Sequence, residues 1–303
     1  MSLRTTAATR FDSFNLYTTS YKKICDHEIE VNVLVPKGIS PGKHPVMIKW
    51  HGGGLFASYL IPFLVRNDAI AILPNYRLAP EHTGDDILED IASLGTWLTS
   101  SLSTYLASKE LSIEPDLSRI LVSGESAGGW LALQSILSLP EDTFTACLLQ
   151  YPVLNALPTH PDDVIMGESI PPKEAMEDFL ASIVPGTVIS AAEPPARNAV
   201  APMLRAHGRW GEFFGTGKHL MPDTQIEDAK FFVPTYILHG KDDTNVPIKW
   251  TEKFVNRARQ LFPETRFELA TPPGEHGFDG DIYEEDEPWL AELLRRVEGD
   301  WLA

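Results

Sequence analysis

The chain has 303 residues, 43% of them hydrophobic, which is enough for a sizeable core in one large domain or two small ones and leaves no compositional sign of disorder. Its net charge of -17 repels phosphate backbones and anionic lipid surfaces, so neither nucleic acid nor a membrane is an expected partner. Cys25 and Cys147 stand too far apart in sequence to suggest a disulfide framework or a zinc site; no apolar run reaches membrane-spanning length, the opening residues hold no apolar leader-like stretch and no N-x-S/T sequon occurs, so a soluble cytoplasmic protein is expected.

Residues 11–35 hold two alternating segments, one around Phe14, Leu16 and Tyr17, the other carrying Ile29, Val31, Val33 and Val35. With Lys22, Lys23 and residues 26–28 between them, they read as an antiparallel pair at a sheet edge. After turn residues, a buried strand over 46–50 ends on His51-Gly52-Gly53-Gly54. Glycines at a strand terminus leave backbone N–H groups bare, as an oxyanion hole requires, although an ordinary glycine loop has the same sequence. A short helix over 55–66 and a strand over 69–73 lead to Asn75-Tyr76-Arg77-Leu78-Ala79-Pro80-Glu81-His82. Residues 85–108 space Ile87, Leu88, Ile91, Leu94, Leu98, Leu102 and Leu106 near a helical period with acidic residues in the first turn, predicting one packing helix. Residues 116–120 lead into the apolar run Ile120, Leu121 and Val122. Small residues follow, Ser123-Gly124-Glu125-Ser126-Ala127-Gly128-Gly129, and then Trp130, Leu131, Ala132 and Leu133 open a helix. A G-x-S-x-G sequence between a buried strand and a helix is a nucleophile elbow, with Ser126 at the turn.

The combination of H-G-G-G, Y-R-L-A-P-E-H and G-E-S-A-G-G resembles the hormone-sensitive-lipase family of α/β-hydrolases, which includes bacterial, fungal and plant carboxylesterases. The resemblance runs from about residue 50 to the C-terminus. It implies an α/β class chain with the α/β-hydrolase fold, a mostly parallel central sheet flanked by helices, and it makes Arg77, Glu81 and His82 scaffold residues of their loop. The family usually has Asp where this chain has Asn75, and the segment from Gly54 to Asn75 is shorter than usual.

Beyond the elbow, a buried strand over 146–151 gives way at residues 154–230 to recurrent prolines and short helical pieces, read as a helical cap inserted within a single domain of residues 1–303. Its Met203, Trp210, Phe213, Phe214, His219 and Met221 either line an acyl pocket or pack cap to body. A strand over 232–239 precedes Gly240-Lys241-Asp242-Asp243-Thr244-Asn245-Val246-Pro247. In α/β-hydrolases a G-x-x-D-x-x-V-P segment here carries the triad acid, which implies Asp243, with Asp242 as runner-up. A helix over 249–261 and a strand over 266–270 lead to Pro273-Gly274-Glu275-His276-Gly277-Phe278, which resembles the family's H-G-F loop and makes His276 the base. The order Ser126, Asp243, His276 is the one this fold uses.

The expected reaction is transfer of a short-chain or compact acyl group from a small-molecule ester to water, with the N–H groups of Gly53, Gly54 and Ala127 holding the oxyanion. No metal or organic cofactor is implied, and a homodimer is compatible with the sequence. A transacylase, a lactonase or a biosynthetic tailoring enzyme would use the same triad. A peptidase or a non-catalytic ligand-binding relative is a further alternative, although such binding relatives usually lose a triad member and this chain keeps all three.

Overall fold

The computed structural model describes residues 4, 6–53, 56–193 and 195–303. Apolar runs supply the strands: β1 (Phe14–Ile24), β2 (His27–Pro36), β3 (Gly42–Trp50), β4 (Ile70–Pro74), β5 (Ile113–Glu125) and β6 (Ala146–Gln150). A small ribbon follows, β7 (Val164–Ile165) with β8 (Glu168–Ser169), and the main sheet is completed by β9 (Thr235–Leu238) and β10 (Phe267–Ala270). The order across the eight-stranded sheet is β1-β2-β4-β3-β5-β6-β9-β10. From β4 to β10 every neighbouring pair is parallel, whereas β2 runs antiparallel to both β1 and β4.

The helices in chain order are α1 (Leu60–Arg66), α2 (Gly84–Ser100), α3 (Leu102–Ala107), α4 (Ala127–Ser138), α5 (Lys173–Ser182), α6 (Val200–Ala206), α7 (Trp210–Phe214), α8 (Pro222–Gln225), α9 (Lys249–Leu261) and α10 (Pro288–Trp301). Successive residues of the central strands point to opposite faces. Ile48, Val122 and Leu149 pack with Ile91, Leu131 and Val255 of α2, α4 and α9. Their neighbours Met47, Leu121 and Leu148 pack on the other face with Phe63 of α1 and Leu293, Val297 and Trp301 of α10. Burial on both faces explains why β6 and β9 are buried at every position and mostly apolar rather than alternating.

Four local features differ from the expectation. Lys22 and Lys23 belong to β1 rather than to the connection, which shrinks to Cys25 and Asp26, and an irregularity between Ser20 and Lys22 absorbs the register. The helix expected over 85–108 is two helices, parted at Ser101, which sits at φ -129. Thr99 and Ser100 turn their hydroxyls back onto the carbonyls of Gly95 and Thr96 there, competition that weakens a helix end. The helix expected over 55–66 begins at Leu60, and Leu55 lies outside the described residues. Strand structure does recur in the inserted segment, as the β7–β8 ribbon. The motifs also pass over α10, although its buried Leu290, Leu293, Leu294, Val297 and Trp301 repeat at helical spacing.

Residues 154–230 leave the sheet after β6 and return at β9, carrying the ribbon and α5 to α8. Several hydrogen bonds and ion pairs tie this segment to the body, three of them near the elbow and the Tyr76–His82 loop. Leu78 N–H donates to Ile189 O at 2.8 Å, Arg197 pairs bidentately with Glu81, and Trp130 Nε1 donates to Leu220 O at 2.7 Å.

Candidate active site

β5 ends where α4 begins, and Ser126 between them is held at φ 53 and ψ -117, a conformation that costs an L residue energy unless its surroundings impose it. They do: its N–H donates to Gln150 O on β6, and its own carbonyl accepts from Gly129, Trp130 and Val153. The turn closes only because two residues lack side chains. A Cβ on Gly124 would lie 2.0 Å from Gly128 O, and one on Gly128 would lie 2.2 Å from Trp50 O. Glycine is therefore dictated by close backbone approach at both positions.

The Ser126 Oγ lies 3.0 Å from His276 Nε2, and His276 Nδ1 lies 2.8 Å from Asp243 Oδ2. Asp243 also accepts the N–H groups of Asn245 at 2.9 Å and Val246 at 2.7 Å, and His239 Nε2 stands 3.3 Å away. Burial pushes the Asp243 carboxyl up, but the hydrogen bonds from His239 and His276 outweigh it and hold the group at about 2. The adjacent Asp242 instead accepts the Gly274 N–H at 2.9 Å and braces the loop that carries His276. The structure thus joins Ser126, His276 and Asp243 and leaves Asp242 out of the chain.

Around the serine, the Gly52 N–H is taken by Glu125 Oε1 at 2.7 Å. The N–H groups of Gly53 and Ala127 have no acceptor among the described residues, and Gly54 lies outside them. His51 stacks on Tyr76 at 4.6 Å, and burial lowers its pKa, so it remains a neutral wall of the site.

Beneath these groups lies a buried polar network that the motifs do not announce. Lys49 pairs with Glu125 and donates to Gln150 Oε1 at 3.2 Å. Gln150 Nε2 donates to the Tyr59 hydroxyl at 2.8 Å, and the Tyr59 and Tyr151 hydroxyls donate to Asp279 at 3.3 and 2.7 Å. Burial draws the Lys49 ammonium down and pushes the Asp279 carboxyl up, while their mutual attraction opposes both shifts. The Tyr151 ring lies 4.5 Å from that of His276. One network therefore touches the glycine loop through Glu125, the elbow through the same residue and the histidine loop through Asp279. A lysine inside the apolar run of β3 was the available signal; its partners come from β5, β6 and distant loops.

Ser126 and His276 open into a cavity of about 760 Å³. Of the six residues named as pocket or packing candidates, Trp210, Phe214 and Met221 line it. Met203 is buried in a small cluster inside the inserted segment, with Phe213 packed against it, and His219 reaches Asp85 on the surface. Among the described residues no cluster of histidine, cysteine and carboxylate side chains could hold a metal, and no helix is long and apolar enough to cross a membrane.

Three comparisons bear on this arrangement. Residues 51–207 match the model of a family described by the alpha/beta hydrolase fold. The chain is 30% identical over 299 residues to the probable carboxylesterase M8 of Phoma sp., covering 90% of this chain and 92% of the relative. It is 31% identical over 194 residues to the probable carboxylesterase clz11 of Cochliobolus lunatus, covering 59% of this chain and 87% of the relative. Among solved structures, the esterase LipW of Mycobacterium marinum aligns with a TM-score of 0.65 at 18% identity, over 98% of this chain and 86% of that one.

Proposed function

This chain belongs to the hormone-sensitive-lipase-like family of the α/β-hydrolase fold, and from that premise we propose that it hydrolyses carboxylic esters of small molecules through an acyl-enzyme formed on Ser126. The observation that carries the mechanism is the unbroken chain of hydrogen bonds from Ser126 Oγ through His276 to Asp243. His276 takes the serine proton as Oγ attacks the ester carbonyl, and it returns that proton to the departing alcohol. Water then attacks the acyl-enzyme by the same route, releasing the acid. Asp243, held ionised, fixes the imidazole tautomer and stabilises the imidazolium. The N–H groups of Gly53 and Ala127, with that of Gly54 from the sequence motif, take the developing oxyanion; one such donor is worth about 3 kcal/mol in other hydrolases.

We read residues 154–230 as a cap within a single domain, a reading supported by Trp210, Phe214 and Met221, which turn from it into the cavity. A volume of about 760 Å³ is that of a site for a whole small-molecule ester. The unpaired Cys25 and Cys147 agree with a cytoplasmic setting. The protein acts as a monomer or a homodimer, without nucleic acid. The test is hydrolysis of aryl esters from acetate to decanoate with the Ser126→Ala protein as control. Turnover by the wild type that vanishes in the variant supports the reading, and equal turnover by the two proteins overturns it.

A further inference from the structure

Two arginines line the cavity, and they differ in their partners. Arg197 is neutralised by Glu81. Among the described residues Arg205, near the end of α6, has no carboxylate within ion-pair distance; its Nη2 donates to the neutral Asn245 Oδ1 at 3.2 Å and its buried Nε has no acceptor there. The cavity's own carboxylates do not serve it, since Glu125 is committed to Lys49 while Glu168 and Glu193 are exposed. A guanidinium does not escape burial by deprotonating, so an unpaired one is retained at a cost unless something brings it an anion. The C-terminal end of α6 accommodates the sign of the charge but not its missing acceptor. Burial alone lowers its pKa, to about 10, with no opposing carboxylate. Its one partner also ties it to the chemistry, because the Asn245 N–H donates to Asp243 Oδ1 at 2.9 Å.

We propose that the cavity selects esters carrying a carboxylate, which the Arg205 guanidinium takes as a charge-assisted ligand while Asn245 fixes its orientation. The inference rests on the ester-hydrolase reading and narrows its substrate class to anionic esters. In a molecule of net charge -17 such a substrate meets a repulsive exterior, so a partly buried cation without a carboxylate partner, in the cavity into which Ser126 opens, supplies discrimination where the bond is broken rather than at first encounter.

The test uses two matched pairs, so that a carboxylate on the acyl side and one on the alcohol side are distinguished. The first pair is mono-p-nitrophenyl glutarate against p-nitrophenyl hexanoate; the second is 4-butyryloxybenzoate against its methyl ester. For at least one pair, the wild-type ratio of kcat/KM for charged over neutral ester should exceed ten, fall about tenfold or more in Arg205→Gln, and recover in part in Arg205→Lys, with melting temperature recorded for each protein. Ratios equal in wild type and Arg205→Gln for both pairs overturn the inference while leaving ester hydrolysis standing. If none of the four esters is turned over, hydrolysis itself fails, and calorimetric binding of the glutarate ester then decides on Arg205 alone. Binding to Ser126→Ala that weakens tenfold or more in Ser126→Ala/Arg205→Gln supports the anion site, and equal binding removes it.

Discussion

One position separates Asp242 from Asp243, yet only Asp243 reaches His276, because its carboxylate is turned inward by the Asn245 and Val246 N–H groups. Asp243→Asn should lower kcat by about ten-thousandfold through loss of the correct tautomer, whereas Asp242→Asn, which weakens only a loop brace, should cost about tenfold or less. Steady-state kinetics on a short aryl ester read both, and the reverse ranking would move the acid to Asp242. The sign of the pH effect also follows from Asp243. Its folded pKa of about 2 lies below the ordinary value of about 3.9, so the stability it contributes is complete above about pH 4 and is lost as pH falls through about 2. The gap in melting temperature between wild type and Asp243→Asn should therefore be constant at mild acidity and close between about pH 4 and 2; a gap that closes already at pH 6 contradicts this. Ser126, Asp243 and His276 were legible because each stands in a short motif whose spacing encodes a turn. Lys49, Tyr151 and Arg205 were not, since their importance lies in burial and in partners such as Glu125, Asp279 and Asn245 that the chain brings from far away.

Between elements, buried ion pairs set the cost of disturbance. Lys49 on β3 and Glu125 on β5 are 3% and 6% exposed, and removing the cation leaves Glu125 and Asp279 without a positive neighbour in the network. Lys49→Met should lower stability by about 3–5 kcal/mol, and the double variant Lys49→Met/Glu125→Gln should recover part of the loss. Denaturant unfolding measures this, and additive losses in the double variant would mean that the pair is not coupled. The inserted segment depends on a different pair. Arg197→Ala removes its clamp on Glu81 and Ala79, so KM for a short ester should rise severalfold while kcat changes less, because the cavity wall loosens and the triad stays in place. The strands were readable from apolar runs because β3 to β6 are buried on both faces. The break at Ser101 and the extension of β1 through Lys22 and Lys23 were not, since hydroxyl competition at one site and an edge strand's exposed face at the other override the periodicity.

For the molecule as a whole, cavity and charge act on the same choice of substrate. The cavity of about 760 Å³ is closed in part by Trp210, Phe214 and Met221, and a net charge of -17 keeps the protein from anionic lipid interfaces. Butyrate esters should be favoured over decanoate esters in kcat/KM, and no rate increase should appear when the ester passes its solubility limit. A preference for decanoate would contradict this reading of the cavity. The fold reached from sequence, a mostly parallel sheet flanked by helices, is the one the structure has, because its nucleophile elbow and glycine loop occur only at strand ends. The central claim is that Ser126 carries the acyl group. Acid quenching during turnover of p-nitrophenyl butyrate, followed by peptide mass spectrometry, tests it most directly. One butyryl group on the peptide containing Ser126, absent from the Ser126→Ala protein, is the result predicted; turnover with that peptide unmodified, or with the label on another residue, would contradict it.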